Sequence, residues 1–231
     1  DIILMTSLVE CFGDEVVLEI KGDSDHSKLI EMLEVLNDET SSMEDELFAT
    51  YFDKENIAYW MAFQLLTGNT DTQNRNVYLY SPQNSSKWYL WDWDNDGMLR
   101  RREREIINFS DSESWERGVS NYWGNVLFRR CLQTQSYRDL LDTAMKELYA
   151  YMNEERIQSM MEHYRSVTEK YGWQMPDRMN VPITHDEYEE VLKSIWPEID
   201  ENYNYYWESY RKPMPFYIGE PQVVNGSLLL T

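Results

Sequence analysis

Residues 53–97 read DKENIAYWMAFQLLTGNTDTQNRNVYLYSPQNSSKWYLWDWDNDG, and the order of elements within this stretch decides the fold. Asp53 is a natural helix N-cap, although Asn56 stands where a capping box would prefer Glu or Gln. From Lys54 to Thr67 the apolar residues Ile57, Tyr59, Trp60, Met61, Phe63, Leu65 and Leu66 run nearly all round a helix. Such a helix belongs in the interior. Gly68-Asn69 stops it, and a polar loop covers 69–76. Val77–Ser81 and Lys87–Asp92 are aromatic and β-branched runs separated by the turn-rich segment Pro82–Ser86, so they form a hairpin. Asp94-Asn95-Asp96-Gly97 is a turn.

Buried helix, polar loop, hairpin and acidic turn follow one another in the catalytic lobe of eukaryotic-type protein kinases too. There a loop Asp orients the substrate hydroxyl, and an Asn five residues on binds magnesium. A second Asp, after the hairpin, binds the magnesium that bridges the ATP phosphates. Asp71 and Asn76 have that separation here, Asn76 sits at the mouth of the first hairpin strand, and Asp92 ends the second. Phosphoryl transfer needs this layout: oxygen ligands to hold the metal, and a carboxylate to place the nucleophile in line.

Outward from this centre, residues 15–20 (EVVLEI) read as a strand ended by Gly22-Asp23. Ser24 or Asp25 caps a helix to about Asn37, and a short helix spans 43–51. Arg100–Arg104 is a basic stretch opening a polar loop that runs to about Ser120. Helices follow at about 122–133, 136–152, 154–171 and 185–211, with Asn153 and Thr184 as caps. Pro197 is expected to kink or split the last one. The domain expected is 1–212, and 213–231 is a β-like tail with a turn at Asn225-Gly226. That tail is either the start of a truncated β-sandwich module or a strap on the helical domain.

Composition narrows the partners. Twenty-one Lys and Arg against 42 Asp and Glu give a net charge of −21. Such acidity repels phosphate backbones and argues against nucleic acid. It suits solubility, basic protein substrates or divalent cations. No apolar run is long enough to span a membrane. Cys11 and Cys131 form no metal-type spacing, and a disulfide and two free thiols both remain open. His26, His163 and His185 are scattered as surface histidines are, and Trp196, Trp207 and the Tyr203–Tyr210 cluster have the spacing of helix core.

The stretch from Tyr51-Phe52-Asp53 through Gly68-Asn69-Thr70-Asp71, Asn76-Val77-Tyr78-Leu79-Tyr80 and Trp88 to Trp91-Asp92-Trp93-Asp94 resembles the spore coat protein H (CotH) kinase family. That family has a "yfD" helix start, an "N-x-D" loop, an "N-x-yLY" strand and a "WDxD" turn. Leu127-Phe128-Arg129 and the acidic, aromatic helix ending near Tyr210-Arg211 extend the likeness to roughly residues 15–212. The resemblance implies an α+β fold, a protein-kinase-like catalytic lobe that is mostly helical with a small β-hairpin at the active site. It implies phosphorylation of Ser or Thr on a protein substrate with ATP and Mg2+ or Mn2+. Asp71 matches the catalytic-loop Asp, Asn76 the loop Asn, Asp92 the metal-binding Asp, and Asp94 is a further candidate ligand. A spore coat or an extracellular or cell-surface location is favoured over the cytoplasm, and the oligomeric state is open.

Two features depart from ordinary kinases. Asn69-Thr70 stands where His-Arg usually precedes the catalytic Asp, and no Gly-rich phosphate loop or convincing nucleotide-binding Lys appears; Lys21 is the weak candidate. The chain begins at Asp1, not Met, with 70 residues before Asp71, so a fragment lacking most of the nucleotide-binding lobe is expected. A rival reading is a non-catalytic surface or adhesion module. Asp92, Asp94, Asp96, Gly97 and Glu103 match positions 1, 3, 5, 6 and 12 of an EF-hand Ca2+ loop, although a strand stands where that motif has a helix. A third is a carbohydrate-binding aromatic face.

Overall fold

The computed structural model describes residues 2–6, 17–21, 25–72, 76–107, 118–211, 222–224 and 227–229. In chain order the helices are α1 (Ser27–Asn37), α2 (Lys54–Thr67), α3 (Arg101–Ile106), α4 (Val126–Gln133), α5 (Gln135–Tyr151), α6 (Glu154–Tyr171) and α7 (His185–Arg211). The strands are β1 (Ile2–Thr6), β2 (Val17–Lys21), β3 (Val77–Tyr80), β4 (Tyr89–Trp91), β5 (Gln222–Val224) and β6 (Ser227–Leu229). The architecture is α+β and mostly helical.

The central element is α2. Asp53 starts it, its carboxylate accepting the Asn56 backbone N–H at 2.8 Å. Ile57, Ala58, Met61, Ala62 and Leu66 are fully enclosed, as an all-round apolar helix requires. Packing against α5 on one side and α7 on another provides that enclosure. Gly68 ends the helix with φ 62°, and a Cβ there would meet Asn202 Nδ2 of α7 at 2.9 Å. Glycine is therefore needed both for the left-handed turn and for the close approach.

The sheet is larger than the hairpin expected from sequence. β3 and β4 pair antiparallel, with Tyr78 opposite Trp91 and Tyr80 opposite Tyr89. β1 then lies between β2 and β3, giving the order β2-β1-β3-β4. The strand read at 15–20 is found as Val17–Lys21, and the Gly22-Asp23 stop lies outside the described residues. β1 escaped the reading because its partners, residues 17–21 and 77–80, are not announced by a local turn signal.

Three further expectations are corrected. Residues 101–106 are helical, not loop. The segment read as one helix from 122 begins as a 3-10 turn, Gly118–Gly124, and α4 starts only after Asn125, whose Oδ1 accepts the Leu127 and Phe128 N–H groups. Pro197 does not split α7, which runs unbroken for 27 residues. The short helix at Met43–Tyr51 is a π-helix, closed by the Phe52 N–H donating to Leu47 O at 2.8 Å.

The other helix limits follow their sequence signals. Asn153 caps α6 through Arg156 N–H, and Thr184 forms a reciprocal box with Glu187 ahead of α7. The aromatic residues of α7 pack internally. Tyr203 stacks on Tyr149 at 3.9 Å between centroids, Trp196 stacks on the same ring at 5.6 Å, and Tyr206 is enclosed. Cys131 is free and buried, and burial pushes its thiol well above the usual range; Cys11 lies outside the described residues. Strands β5 and β6 pair antiparallel, with Val224 opposite Ser227; the turn read at Asn225-Gly226 lies outside the described residues.

Candidate functional site

Two stretches of backbone bring the site together: the loop after α2 and the turn after β4. Two buried amide side chains fasten them. Gln64, on the last turns of α2, is the polar residue among enclosed apolar neighbours and is 1% exposed. Its Nε2 donates to Asp92 Oδ1 at 2.9 Å, and its Oε1 accepts Asn69 Nδ2 at 2.9 Å. Asn69 Nδ2 also donates to Asn95 Oδ1 at 3.1 Å, while Asn69 Oδ1 accepts the Asp71 backbone N–H at 3.2 Å. One connected set of hydrogen bonds thus runs from the Asp92 carboxylate to the backbone of Asp71. Such a network fixes geometry because each buried member would be costly to leave unpaired.

The acidic turn lies against Asp71. A Cβ on Gly97 would stand 2.9 Å from Asn69 Oδ1 and 3.0 Å from Asp71 Oδ2. The Asp71 carboxylate and the turn that follows Asp92 are therefore neighbours. The turn itself is anchored to the end of α2, since the Leu99 N–H donates to Thr67 O at 2.9 Å. That bond holds Leu99 at φ 54°, a conformation an apolar side chain rarely adopts.

Asn76 and Asp94 face each other across the hairpin. Asn76 Nδ2 donates to Asp94 Oδ2 at 3.2 Å, and both residues take left-handed φ values, 52° and 54°. Asn and Asp tolerate that region better than most residues do. All four residues singled out from sequence thus fall at one end of the hairpin. Asp92 is joined to the Asp71 loop through Gln64 and Asn69, and Asp94 is joined directly to Asn76.

Partial desolvation raises the Asp92 carboxyl above the ordinary carboxylate range, opposed by the hydrogen bonds from Gln64 and Asn95. A carboxylate, a second carboxylate and an amide oxygen form a hard donor set of the kind that magnesium or manganese takes. Arg100 is held above its usual range, first by its hydrogen bonds to Glu103 and also by the nearby Asp96 and Asp71.

The same geometry separates this turn from an EF-hand. Strand β4, not a helix, leads into it. Glu103, the residue at the twelfth position, is taken by Arg100, whose Nε donates to Glu103 Oε2 at 2.8 Å. The basic run is likewise occupied within the molecule: Arg101 pairs with Glu201 at 2.7 Å and Arg102 with Glu190 at 2.6 Å, both on α7.

A second group of potential ligands, missed in the sequence because its members are far apart, lies between α6 and α7. The ligand atoms of Glu169, His185 and Glu189 fall within 4.8 Å of one another. His185 Nε2 already bonds Glu169 at 2.9 Å, and Arg165 bonds Glu189, so ion pairing accounts for the group. Gln64 and Asn95 were also missed. The signal for Gln64 was present, as an amide among the apolar residues near the end of α2.

A mostly helical α+β lobe with acidic and amide side chains gathered at the end of a hairpin is the class of protein these elements define. The family model described as CotH kinase protein matches residues 14–206, and the chain belongs to that family. No curated protein and no solved structure matches the chain. Membership suggests a kinase-like function, which implies a protein substrate. Among the described residues, no helix is long and apolar enough to cross a membrane.

Proposed function

We propose that the chain is the catalytic lobe of a protein kinase that transfers the γ-phosphoryl group of ATP to a Ser or Thr hydroxyl, with Mg2+ or Mn2+. The observation that supports this reading is the nearness of the Asp71 carboxylate to the acidic turn: a Cβ added to Gly97 would stand 3.0 Å from Asp71 Oδ2. Asp71 accepts a hydrogen bond from the substrate hydroxyl and aims its oxygen at the phosphorus. Asp92, Asn76 and Asp94 would hold the cation, which when bound neutralises charge on the phosphate oxygens. Gln64 keeps the Asp92 carboxylate turned into the site, and Asn69 keeps the Asp71 backbone in register with it. The proposed substrates are spore-coat or cell-surface proteins, on the strength of family membership.

The test is phosphate incorporation from labelled ATP into a Ser-rich acceptor protein with Mn2+ or Mg2+, comparing wild type with Asp71→Ala and Asp92→Ala. Each substitution is expected to lower the rate by about 10²–10⁴-fold, the usual contribution of a positioned acid–base group. Incorporation that is indifferent to Asp71 rejects the mechanism. Stabilisation by Ca2+ with no response to nucleotide supports the surface-module reading instead.

A further inference from the structure

Helix α6 carries an apolar seam that no other described element covers. Met160, Tyr164, Val167 and Tyr171 are 50%, 59%, 51% and 55% exposed. Their spacing of four, three and four residues puts them on one line along the helix, the pattern of a heptad seam with a partner helix laid along it. The adjoining face of α6 is already used: Ile157 is buried, and Arg165, Thr168 and Glu169 bond Glu189, Tyr188 and His185 of α7. The seam is therefore an outward surface, not the inner side of the α6–α7 pair. Scattered exposed apolar residues need no explanation, but an aligned set of four large ones does.

The charge beside the seam says what would cover it. The molecule as a whole carries −21. Along one border of the seam, however, stand Arg156, His163 and Lys170, each seven residues from the next, at the positions that flank a heptad core. Arg156 lies over the Tyr151 ring at 3.9 Å and Lys170 over the Tyr171 ring at 4.9 Å. Neither makes an ion pair among the described residues. Aromatic faces hold the two cations at the edge of the seam and leave their charge unmatched.

We propose that this face of α6 docks an amphipathic helix of another protein, one whose apolar stripe is bordered by Glu or Asp. A second copy of this chain fits less well. In an antiparallel pairing the Arg156 edge would meet the Lys170 edge of the other copy, and like charges at flanking positions select against a pairing. The inference is independent of the phosphoryl-transfer reading, because none of these residues belongs to the proposed site.

The test uses the full chain and two synthetic three-heptad helices with Leu at both core positions, one with Glu at the flanking positions and one with Lys. Binding is followed by fluorescence anisotropy of the labelled peptide. The Glu peptide is expected to bind at least about tenfold more tightly than the Lys peptide, and more weakly as salt rises. Val167→Glu, an exposed change that leaves the fold intact by circular dichroism, should abolish binding. The double reversal Arg156→Glu with Lys170→Glu should exchange the preference between the two peptides. Equal affinity for both peptides, or binding to neither, overturns the proposal. So does a dimer in light scattering that Val167→Glu dissociates, or a preference for phosphatidylglycerol vesicles over the Glu peptide.

Discussion

Gly97 is the residue at which the site is most sensitive to a single added atom. Its Cβ position is 2.9 Å from Asn69 Oδ1 and 3.0 Å from Asp71 Oδ2, so any side chain there must move one of the two. Asn69 Oδ1 accepts the Asp71 N–H and cannot shift without lengthening that hydrogen bond, and Asp71 Oδ2 belongs to the carboxylate that the proposed mechanism uses. Gly97→Ala is expected to lower the phosphoryl-transfer rate on the order of 10²-fold, the usual effect of displacing a positioned group by about 1 Å. Steady-state kinetics beside near-UV circular dichroism checks this: the rate should fall while the spectrum stays that of wild type. At this scale the sequence was legible where spacing carried the information. Asp71, Asn76 and Asp92 are set by the lengths of one loop and one hairpin, which are local quantities. Gln64 was not legible in the same way. Its partner is 28 residues away, and only the folded chain brings the two to 2.9 Å.

At Asp53, Asn153 and Thr184 the cap is local, and the sequence reading and the structure agree. The local cap at Asn125 was missed. The end of α1 was read at Asn37 and lies there, but the group that satisfies it is distant and was not legible. Helix α1 has no basic residue in its last turn, and Arg130 of α4 supplies the missing donors. Its Nη1 donates to Leu36 O at 2.6 Å and Asp38 O at 3.0 Å, and its Nη2 to Ser41 O at 2.6 Å. One planar fork thus satisfies several carbonyls that a point charge cannot reach together. Arg130→Lys is expected to cost on the order of 2 kcal/mol, read as a lower urea midpoint with unchanged slope. The α7 cap yields a pH dependence. Glu187 accepts the Thr184 N–H at 2.7 Å and hydroxyl at 2.8 Å, which holds its carboxyl below the ordinary value of 4.5. A depressed acid stabilises the fold above its unfolded value, and the effect disappears as pH falls through the folded value. Glu187→Gln should therefore melt below wild type at neutral pH, and the two melting temperatures should converge in acid. A constant gap at every pH would show that the charge on Glu187 is not what the cap uses.

The whole molecule is set by the balance between one tightly packed helical centre and a surface of one sign. Family membership and the helical architecture were legible because α2, the loop, the hairpin and the turn are consecutive; β1 was not, because its place in the sheet depends on two distant partners. The charge was legible from composition alone, and its consequence can be measured. Surface pairs such as Lys54–Glu44 and Arg102–Glu105 are exposed, and each contributes only about 0–1 kcal/mol. Against them stands the mutual repulsion of a net −21. Repulsion is summed over the whole surface and so outweighs local attraction when the screening length is long. That length shrinks from about 30 Å at 0.01 M salt to about 8 Å at 0.15 M. The melting temperature is therefore expected to rise between those two conditions, against the fall that a fold held by surface ion pairs would give. Mn2+ added at constant ionic strength then separates screening from site binding. A further rise that Asp92→Asn removes belongs to the proposed site, because that substitution changes the total charge by only one but replaces one of the site's two carboxylates with a neutral amide. A rise that survives Asp92→Asn belongs to the acidic surface at large, and it would remove the proposed site from the list of cation sites.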